Sequence, residues 1–466
     1  MNALVLATLA LAVSAPADEA WRAERPAVPP AEPPVLPEFQ RSVLPNGLHV
    51  YSVELTNLPL VSFSLVTRGG AAADPQGKAG LTSLLYEVMQ EGAGPYDALA
   101  FSDRVADFGA SLGGGADRDS ASLAVSGLAR HAADLLNLLT LAAREPRLDE
   151  EGFQRRKEER IASLTRQLGS PQGIAFSEFA ELLYGAQHPY GHPPSGTLET
   201  VSTLTLADVK AQHAKLMAPD ASALVVAGAL SHAEALALAE EKLGAWEGKG
   251  PSNPIPFVEA SPREQIVLID KPGPQTMVVL GRPLPAKGHP DEFAIRLLNE
   301  VYGGTFSSRV NLNLREEKGY TYGAGSQVSF RRGVGGFVAY GAIRTDVTGA
   351  ALVEFFGELK GLAERPATDD EIQRAKDGIV RSLTGRFETG GSVASAASAL
   401  FLYDLKLDYF RDLGPRYEAT PADAVRAAQS PYFESDAMKV LLVGDAAVIR
   451  PQLELAGFTS IHVRTP

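Results

Sequence analysis

The sequence has no cysteine among its 466 residues, and its 43 lysines and arginines are outnumbered by 56 aspartates and glutamates. The lack of cysteine excludes disulfide bonds, thiolate metal sites, cysteine nucleophiles and lipid-modified cysteines. A formal net charge of -13 argues against nucleic acid or an anionic membrane surface as the main partner. With 45% hydrophobic residues, the chain is long enough for two or more domains, each with a sizeable core.

The apolar run near the N-terminus, LVLATLALAVSA, is too short to span a bilayer as a stable anchor. The sequence Ala15-Pro16-Ala17 at its end fits the small-x-small pattern of signal-peptide cleavage, although no lysine or arginine precedes the run. We expect residues 1–17 to be a signal peptide and the protein to be exported, periplasmic or extracellular. A mis-assigned start codon and a buried N-terminal helix are the alternatives. The prolines that follow predict an extended linker over residues 18–38.

An internal repeat is the main clue to the fold. QRRKEERIASLT, which begins at Gln154, matches QRAKDGIVRSLT at Gln373, and LLYEV at Leu84 matches LLNEV at Leu297, in the same order. The segment GKGPSNPIPFVEASP between the halves lacks periodicity and predicts a linker over residues 248–262. We therefore expect an α+β fold of two homologous domains, 39–247 and 263–466, each a mainly antiparallel β-sheet packed with α-helices.

Local patterns place strands and helices within this frame. Asn46-Gly47 between apolar runs predicts a tight turn, and LVSFSLVTR after it alternates like a strand. GLTSLLYEVMQEGA, from Gly80 to Ala93, has the apolar spacing of an amphipathic helix. GGGADRDSASLAVSGL reads as one glycine-led strand.

The strongest local signal is LLNEVYGGTFSSRVNLNLREEKGYTYGAGS in the second half. It resembles the C-terminal domain of the insulinase/pitrilysin-like zinc metallopeptidases, specifically their mitochondrial-processing-peptidase-like bacterial branch, which carry a glycine-containing loop, SSRL and LREEKGLAY. LPNGLHV near the start, the Gly-helix-Gly segment and HPYG fall in the family's order, so the likeness extends over nearly the whole mature chain. The resemblance implies a duplicated metallopeptidase-like α/β roll.

Active members of that family bind zinc through the two histidines of an H-x-x-E-H motif, with the glutamate as general base. With the flanking glycines aligned, Ser83 and Glu87 stand at the histidine positions and Tyr86 at the general base. The third ligand is a glutamate in an ER-x(5)-E pattern, and here Arg166 stands at that position, because ERIASLTR places Glu159 on the first glutamate. The resemblance thus implies a degenerate zinc site and no metal cofactor in this chain.

Two other pairs of side chains could offer metal ligands. Glu87 and Glu159 alone make a poor zinc site, because they provide oxygen ligands without imidazole. His188 and His192 have helical ligand spacing, but HPYGHPP contains prolines and a glycine that prevent a regular helix. A structural turn is the better interpretation of that histidine pair.

The second half keeps the family's other catalytic feature. Family enzymes use an arginine and a tyrosine in R-x(6)-Y, which reach from the non-metal domain into the zinc site, and Arg315 and Tyr322 keep both types and the spacing. A guanidinium and a phenol can donate hydrogen bonds to a peptide carbonyl whose oxygen gains charge as water attacks. The alternative is that Arg315 pairs with Glu316 or Glu317 on a helix surface while Tyr322 packs in a core.

Substrate-contacting positions follow from the same resemblance. The segment from Gly113 to Val125 corresponds to an edge strand that pairs with an extended peptide, and YGGTFSSR corresponds to a flexible substrate loop. The glycines of that loop also fit a merely structural turn. The candidate substrate-binding residues are Gly113, Gly114, Gly115, Gly303, Gly304, Ser307 and Ser308.

These features together indicate the non-catalytic subunit of a heterodimeric zinc metallopeptidase. The partner, an active zinc-bearing homologue, would supply zinc, its water and the general base, and this chain would supply Arg315, Tyr322 and part of a chamber for a peptide or unstructured polypeptide. The alternatives are a non-enzymatic peptide-binding or scaffold protein derived from the same family, and an active enzyme with an unorthodox metal site.

Overall fold

The computed structural model describes residues 36–465, so the expected signal peptide and most of the proline-rich linker lie outside the described residues. The strands are β1 Gln40–Val43, β2 His49–Glu54, β3 Leu60–Arg68, β4 Ser111–Ala116, β5 Ser120–Leu128, β6 Ser222–Gly228, β7 Ile266–Asp270, β8 Gln275–Leu284, β9 Thr321–Ser329, β10 Gly335–Arg344, β11 Lys439–Gly444 and β12 Ile461–Arg464.

The helix predicted within Gly80 to Ala93 is present, and further α-helices occur in both halves. In chain order they are α1 Leu81–Val88, α2 Ala98–Asp107, α3 Ala132–Arg144, α4 Glu150–Gln167, α5 Pro171–Tyr184, α6 Leu198–Thr203, α7 Leu206–Leu216, α8 His232–Leu243, α9 Glu292–Asn299, α10 Arg309–Asn311, α11 Thr348–Glu364, α12 Asp369–Ser382, α13 Gly390–Leu402, α14 Tyr409–Ala419, α15 Ala422–Ala427, α16 Gln429–Tyr432 and α17 Ala446–Leu455.

Each half of the chain forms one six-stranded mixed sheet. The first sheet has the order β1-β2-β6-β3-β5-β4 and the second has the order β12-β7-β11-β8-β10-β9. From β2 and β7 onward the two orders correspond strand for strand, which confirms the duplication. Four of five pairings in the first sheet and three of five in the second are antiparallel. The predicted α+β fold with mainly antiparallel sheets is therefore confirmed.

Two turns show how local sequence builds the first sheet. Gly47, with φ of 90°, lies in the turn between β1 and β2, where its amide donates to the Leu44 carbonyl at 2.9 Å. The single strand expected over GGGADRDSASLAVSGL is wrong, because Asp117 and Ser120 close a turn that divides the segment into the hairpin β4–β5. β4 ends the strand order and forms one edge of the sheet.

The two halves exchange one helix each. α5 follows α4 in the first half but packs on β8 and β11 of the second sheet. α13 occupies the equivalent place in the second half and packs on β2, β3 and β6 of the first sheet. Phe179 on α5 and Phe401 on α13 are both buried in these contacts, so each sheet completes its core with a helix from the other half.

The segment between the sheets, residues 248–262, contains no helix or strand. None of the helices within residues 36–465 has the length and apolar character needed to cross a membrane.

Candidate functional site

α1 is the helix on which the family pattern would place zinc ligands. Leu81, Leu84 and Val88 bury its apolar face. Gly80, with φ of 92°, begins the helix without a capping side chain of its own. The half-buried carboxylate of Asp74 replaces that cap, accepting from the Gly80 amide at 2.9 Å.

Asp74 makes two further contacts at the start of α1. One carboxylate oxygen accepts from the backbone amide of Thr82 at 2.8 Å and from its hydroxyl at 2.5 Å. Burial of the carboxyl outweighs these hydrogen bonds and raises the pKa of Asp74 to about 7. The first turn of α1 is thus held by a group that titrates near neutral pH.

The guanidinium of Arg160, on α4, lies between the two histidine positions of α1. Its Nη2 donates to Ser83 Oγ at 3.1 Å and forms an ion pair with the Glu87 carboxylate. Its Nη1 donates to the carbonyl of Ser195 at 3.3 Å. The Arg160 side chain is 11% exposed, so a largely buried internal cation lies where a metal would sit between those ligand positions.

Tyr86, at the position of the general base, points into the core. It is fully buried, and its hydroxyl lies 2.5 Å from Thr67 Oγ1 on β3. Burial raises the pKa of the Tyr86 hydroxyl above its ordinary value. A phenol held in this way remains protonated at neutral pH and cannot act as the base.

The side chains around α1 do not fit zinc. Ser83 offers a neutral hydroxyl, Glu87 a carboxylate already paired with a cation, and Arg160 only donors. Arg166, the expected third position, is exposed near the end of α4, and Glu159 pairs with Arg156 at 2.9 Å. Within residues 36–465 no group of three or more histidine, aspartate or glutamate side chains is placed to hold a metal ion.

The sequence reasoning missed Arg160. It follows Glu159 directly in ERIASLTR, but the family pattern directs attention to the ligand positions on either side of it. The available signal is charge: Glu87 needs a counter-ion if it is not exposed, and α4 carries arginines at 155, 156, 160 and 166. Only the packing of α4 on α1 shows which of them serves Glu87.

The histidine pair lies in a turn, as its sequence indicates. His188 Nδ1 accepts from the backbone amide of Tyr190 at 3.0 Å, and its Nε2 lies 3.0 Å from the carbonyl of Pro256. Both ring nitrogens are therefore used within the protein, and His192 Nδ1 lies 3.4 Å from the carbonyl of Pro193.

Arg315 lies in a π-helical turn, Leu312–Glu317, where the backbone departs from regular α-helix. Such turns occur frequently at functional sites because they redirect a side chain. The guanidinium carbon lies 4.5 Å from the ring centroid of Phe306, and Nε lies 3.4 Å from the Glu316 carboxylate. The side chain is 36% exposed. The Glu316 pairing that the alternative interpretation required is present, but it is partial and open to solvent.

Tyr322 lies in a β-bulge on β9. Gly341 pairs with Ala324 and Ile343 pairs with Thr321, so Tyr322 and Gly323 together oppose one residue of β10. The hydroxyl of Thr321 fixes the bulge by donating to the carbonyls of Gly323 and Ala342 at 2.9 and 2.7 Å. Tyr322 is 89% exposed. The alternative interpretation, in which Tyr322 packs in a core, is therefore wrong.

The glycine-containing loop is anchored at both ends. Glu300–Gly304 continues α9 as a second π-helical turn, and a side chain at Gly303 would meet Ser326 Oγ at 2.5 Å. Arg309 binds Glu371 at 2.8 and 2.7 Å, and these hydrogen bonds lower the pKa of the Glu371 carboxyl to about 2. Between the anchors Gly304, Phe306 and Ser307 are exposed, whereas Ser308 is buried.

The edge strand β4 carries the three glycines expected to face a peptide. Gly113 and Gly114 are exposed and Gly115 is half-buried. A cavity of about 690 Å³ lies beside the strand, between β4–β5 and α13, and serine hydroxyls of both line much of it. The lining serines are Ser62, Ser64, Ser111, Ser120, Ser122, Ser126, Ser395 and Ser398.

The polar side chains around α1 and the pair Arg315 and Tyr322 form two separate sets of contacts. No hydrogen bond, ion pair or ring contact within residues 36–465 joins Ser83, Glu87 or Arg160 to Arg315 or Tyr322. Arg160 occupies the first set, and Arg315 and Tyr322 of the second set lie on exposed, irregular backbone.

Comparison with known proteins finds relatives of one peptidase family. Residues 203–379 match the family model described as Peptidase M16 inactive domain. An uncharacterized zinc protease of Mycobacterium tuberculosis is 23% identical over 361 residues, 76% of this chain and 79% of the relative. The non-peptidase homolog YmxG of Helicobacter pylori is also 23% identical over 361 residues, 76% of this chain and 82% of the relative.

Solved structures share the fold over almost the whole described chain. The peptidase M16 inactive domain from Pseudomonas fluorescens has a TM-score of 0.79 and 25% identity, covering 87% of this chain and 98% of its own. A protease from Helicobacter pylori has a TM-score of 0.81 and 18% identity, covering 88% of this chain and all of its own.

Proposed function

The chain belongs to the M16 (insulinase/pitrilysin-like) peptidase family, with an inactive domain in it, and we propose that it is the non-catalytic subunit of a heterodimeric zinc metallopeptidase. The observation that carries the proposal is the contrast between its two halves. Arg160 fills the place between the ligand positions of α1. Arg315 and Tyr322, in the other half, keep the types and spacing of the family's transition-state pair and are partly or largely exposed.

In the proposed mechanism, this chain stabilises the negative charge that develops on the peptide carbonyl oxygen. Zinc, when bound in the partner subunit, would polarise the peptide carbonyl and lower the pKa of the attacking water. Arg315 and Tyr322 would each donate a hydrogen bond to the oxygen that becomes negative. Removing one such donor typically lowers kcat about 10²–10³-fold. An exposed phenol on a β-bulge is suited to reach a site outside its own chain.

We propose that an extended peptide pairs with the edge strand β4. Its exposed glycines leave backbone groups open for hydrogen bonds that do not depend on the peptide's sequence. The adjacent serine-lined cavity leaves room for side chains of the bound segment. The loop containing Gly303, Gly304, Ser307 and Ser308 would cover the peptide from the second half. Export to the periplasm or the exterior remains part of the proposal.

Reconstitution with an M16 homologue from the same source that carries an intact H-x-x-E-H motif tests the proposal. Each subunit is purified alone, its zinc content is measured, and cleavage of a fluorogenic peptide library is followed for each subunit and for the mixture. We expect cleavage from the mixture only. Arg315→Ala and Tyr322→Phe should each lower kcat about 10²-fold.

Matched controls separate a role in the site from a loss of folding. Arg344→Ala removes another exposed arginine, one that pairs with Asp346 at 2.9 Å. Tyr320→Phe removes a hydroxyl two residues from Tyr322. Both should leave kcat unchanged. Binding of the homologue with no gain in cleavage would instead favour the scaffold function, and YmxG is an example of a relative named as a non-peptidase.

A further inference from the structure

The side-chain amide of Asn311 joins the glycine loop to strand β9. Its Nδ2 donates to the carbonyl of Phe306 at 2.7 Å, and its Oδ1 accepts from the amide of Ala324 at 3.0 Å. Asn311 is 4% exposed, so both bonds are shielded from water. Loss of either would leave a buried polar group unpaired. One side chain therefore fixes the separation between the loop and the strand.

The two residues that Asn311 joins each lie next to a proposed catalytic residue: Phe306 lies beside Arg315, and Ala324 lies close to Tyr322 in the chain. Phe306 is 66% exposed, yet its ring faces the Arg315 guanidinium at 4.5 Å. An exposed contact of this kind favours one orientation of the arginine. At the other end, Ala324 follows Tyr322 by two residues on β9, just beyond the bulge.

One backbone hydrogen bond joins the two segments directly, from the Tyr320 amide to the Leu314 carbonyl at 2.9 Å. Arg315 lies in a π-helical turn and Tyr322 in a β-bulge, so neither is fixed by a regular hydrogen-bond ladder. A side-chain cross-link between the two segments adds to that bond, and hydrogen-bond donors in a catalytic site must be held in place before the charge develops.

We propose that Asn311 and Phe306 are positioning residues that hold Arg315 and Tyr322 in one relative geometry. Asn311 sets the position of the loop against β9, and the Phe306 ring sets the direction of the guanidinium. This inference rests on the proposed function for its catalytic consequence, whereas the geometry itself can be measured in the isolated chain.

NMR of the isolated chain, with arginine side chains labelled with ¹⁵N, tests the geometry. The Arg315 Nε–H signal is identified by its absence in Arg315→Lys. Because the Phe306 ring lies beside the guanidinium, its ring current shifts that signal away from the position of an exposed arginine. We expect Phe306→Leu and Asn311→Ala both to return the signal to that position.

A matched control and a milder variant keep the test decisive. Asn299 is also a buried asparagine that binds β9, accepting from Ser326 Oγ at 2.8 Å, but it makes no bond to the loop. Asn299→Ala should leave the Arg315 signal in place. Asn311→Asp keeps the acceptor for Ala324 and loses the donor to Phe306, so it should move the signal even if Asn311→Ala does not fold.

The catalytic consequence is measured in the reconstituted pair. Asn311→Asp and Phe306→Leu should lower kcat about tenfold with KM unchanged, because a misplaced catalytic group costs rate rather than binding. Phe306→Tyr retains a ring and should restore the rate.

Different results would overturn the proposed function and the positioning role of Asn311 and Phe306. A pair whose rate is unaffected by Arg315→Ala would defeat the proposed function and leave the NMR result standing. An Arg315 signal that is unmoved by both Asn311→Asp and Phe306→Leu would overturn the positioning role.

Discussion

The guanidinium of Arg160 pairs with the carboxylate of Glu87, the residue that the family resemblance aligns with the second histidine of the zinc motif. The same guanidinium donates to Ser83, at the first position. A positive charge that belongs to the protein thus satisfies the groups that would otherwise face a metal ion. The helix buries its apolar face in the core, and its polar side chains at 83 and 87 pair within the protein.

The Arg160 contact leads to a prediction about zinc binding. In the triple variant S83H/Y86E/E87H, we expect addition of Arg160→Glu to create a zinc site, because position 160 faces both new histidines and a glutamate completes a three-ligand set. Addition of Arg166→Glu to the same triple variant should not create one, because Arg166 is exposed. Isothermal titration calorimetry measures the zinc affinity of the two proteins. Tighter binding in the Arg166→Glu protein would contradict the placement of α4.

The raised pKa of Asp74 predicts that the stability of the folded protein depends on pH. Burial raises its pKa to about 7 in the folded state, so the folded protein retains a proton that the unfolded chain releases near pH 4. Its contribution to the free energy of unfolding is therefore greatest below pH 4 and declines as the pH rises to about 7, by up to about 4 kcal/mol.

Urea unfolding of wild type and Asp74→Asn between pH 4 and pH 8 measures this effect. The variant has no proton to lose, so the stability difference in favour of wild type should shrink as the pH rises. A difference that is constant over this range would show that Asp74 has an ordinary pKa in the folded protein.

The exchange of α5 and α13 predicts that the two halves do not fold independently. Each sheet would lose the helix that covers one of its faces, including Phe179 or Phe401. We expect residues 36–262 and 263–465, expressed separately, to be unfolded or aggregated and to regain structure when co-expressed.

A full-length chain with a protease site inserted within residues 248–262 is the matched control. After cleavage it should remain one particle in size-exclusion chromatography, because the exchanged helices still bind the two parts together. Separation into two folded monomers would contradict the exchange.

Much of the secondary structure and the duplication can be predicted from the sequence, because they depend on local patterns. The turn at Asn46-Gly47, the amphipathic α1 and the internal repeat all follow from spacing and residue type, and the resemblance carried by LREEKGYTY identified the fold. The sequence predicts one strand where the hairpin β4–β5 forms, because GGGADRDSASLAV is strand-like on both sides of a turn without Asn-Gly, Asp-Gly or proline.

The remaining features depend on contacts between distant segments. The periodicity of α5 and α13 shows that one face of each is buried but does not say against which sheet. The pairing of Arg160 with Glu87 joins residues 73 apart in the chain, and the neighbouring arginines of α4 are equally good candidates by composition. The π-helical turn at Arg315 and the bulge at Tyr322 are departures from regular structure that propensity does not indicate.

The kcat of the reconstituted pair with wild-type Arg315 and with Arg315→Ala tests the central claim most directly. The claim is that this chain supplies charge stabilisation to a zinc site in another subunit. We expect the wild-type pair to cleave peptide, this chain alone to cleave none, and Arg315→Ala to lower kcat of the pair about 10²-fold while subunit association is unchanged. Full cleavage by this chain alone, abolished by a chelator, would contradict the claim.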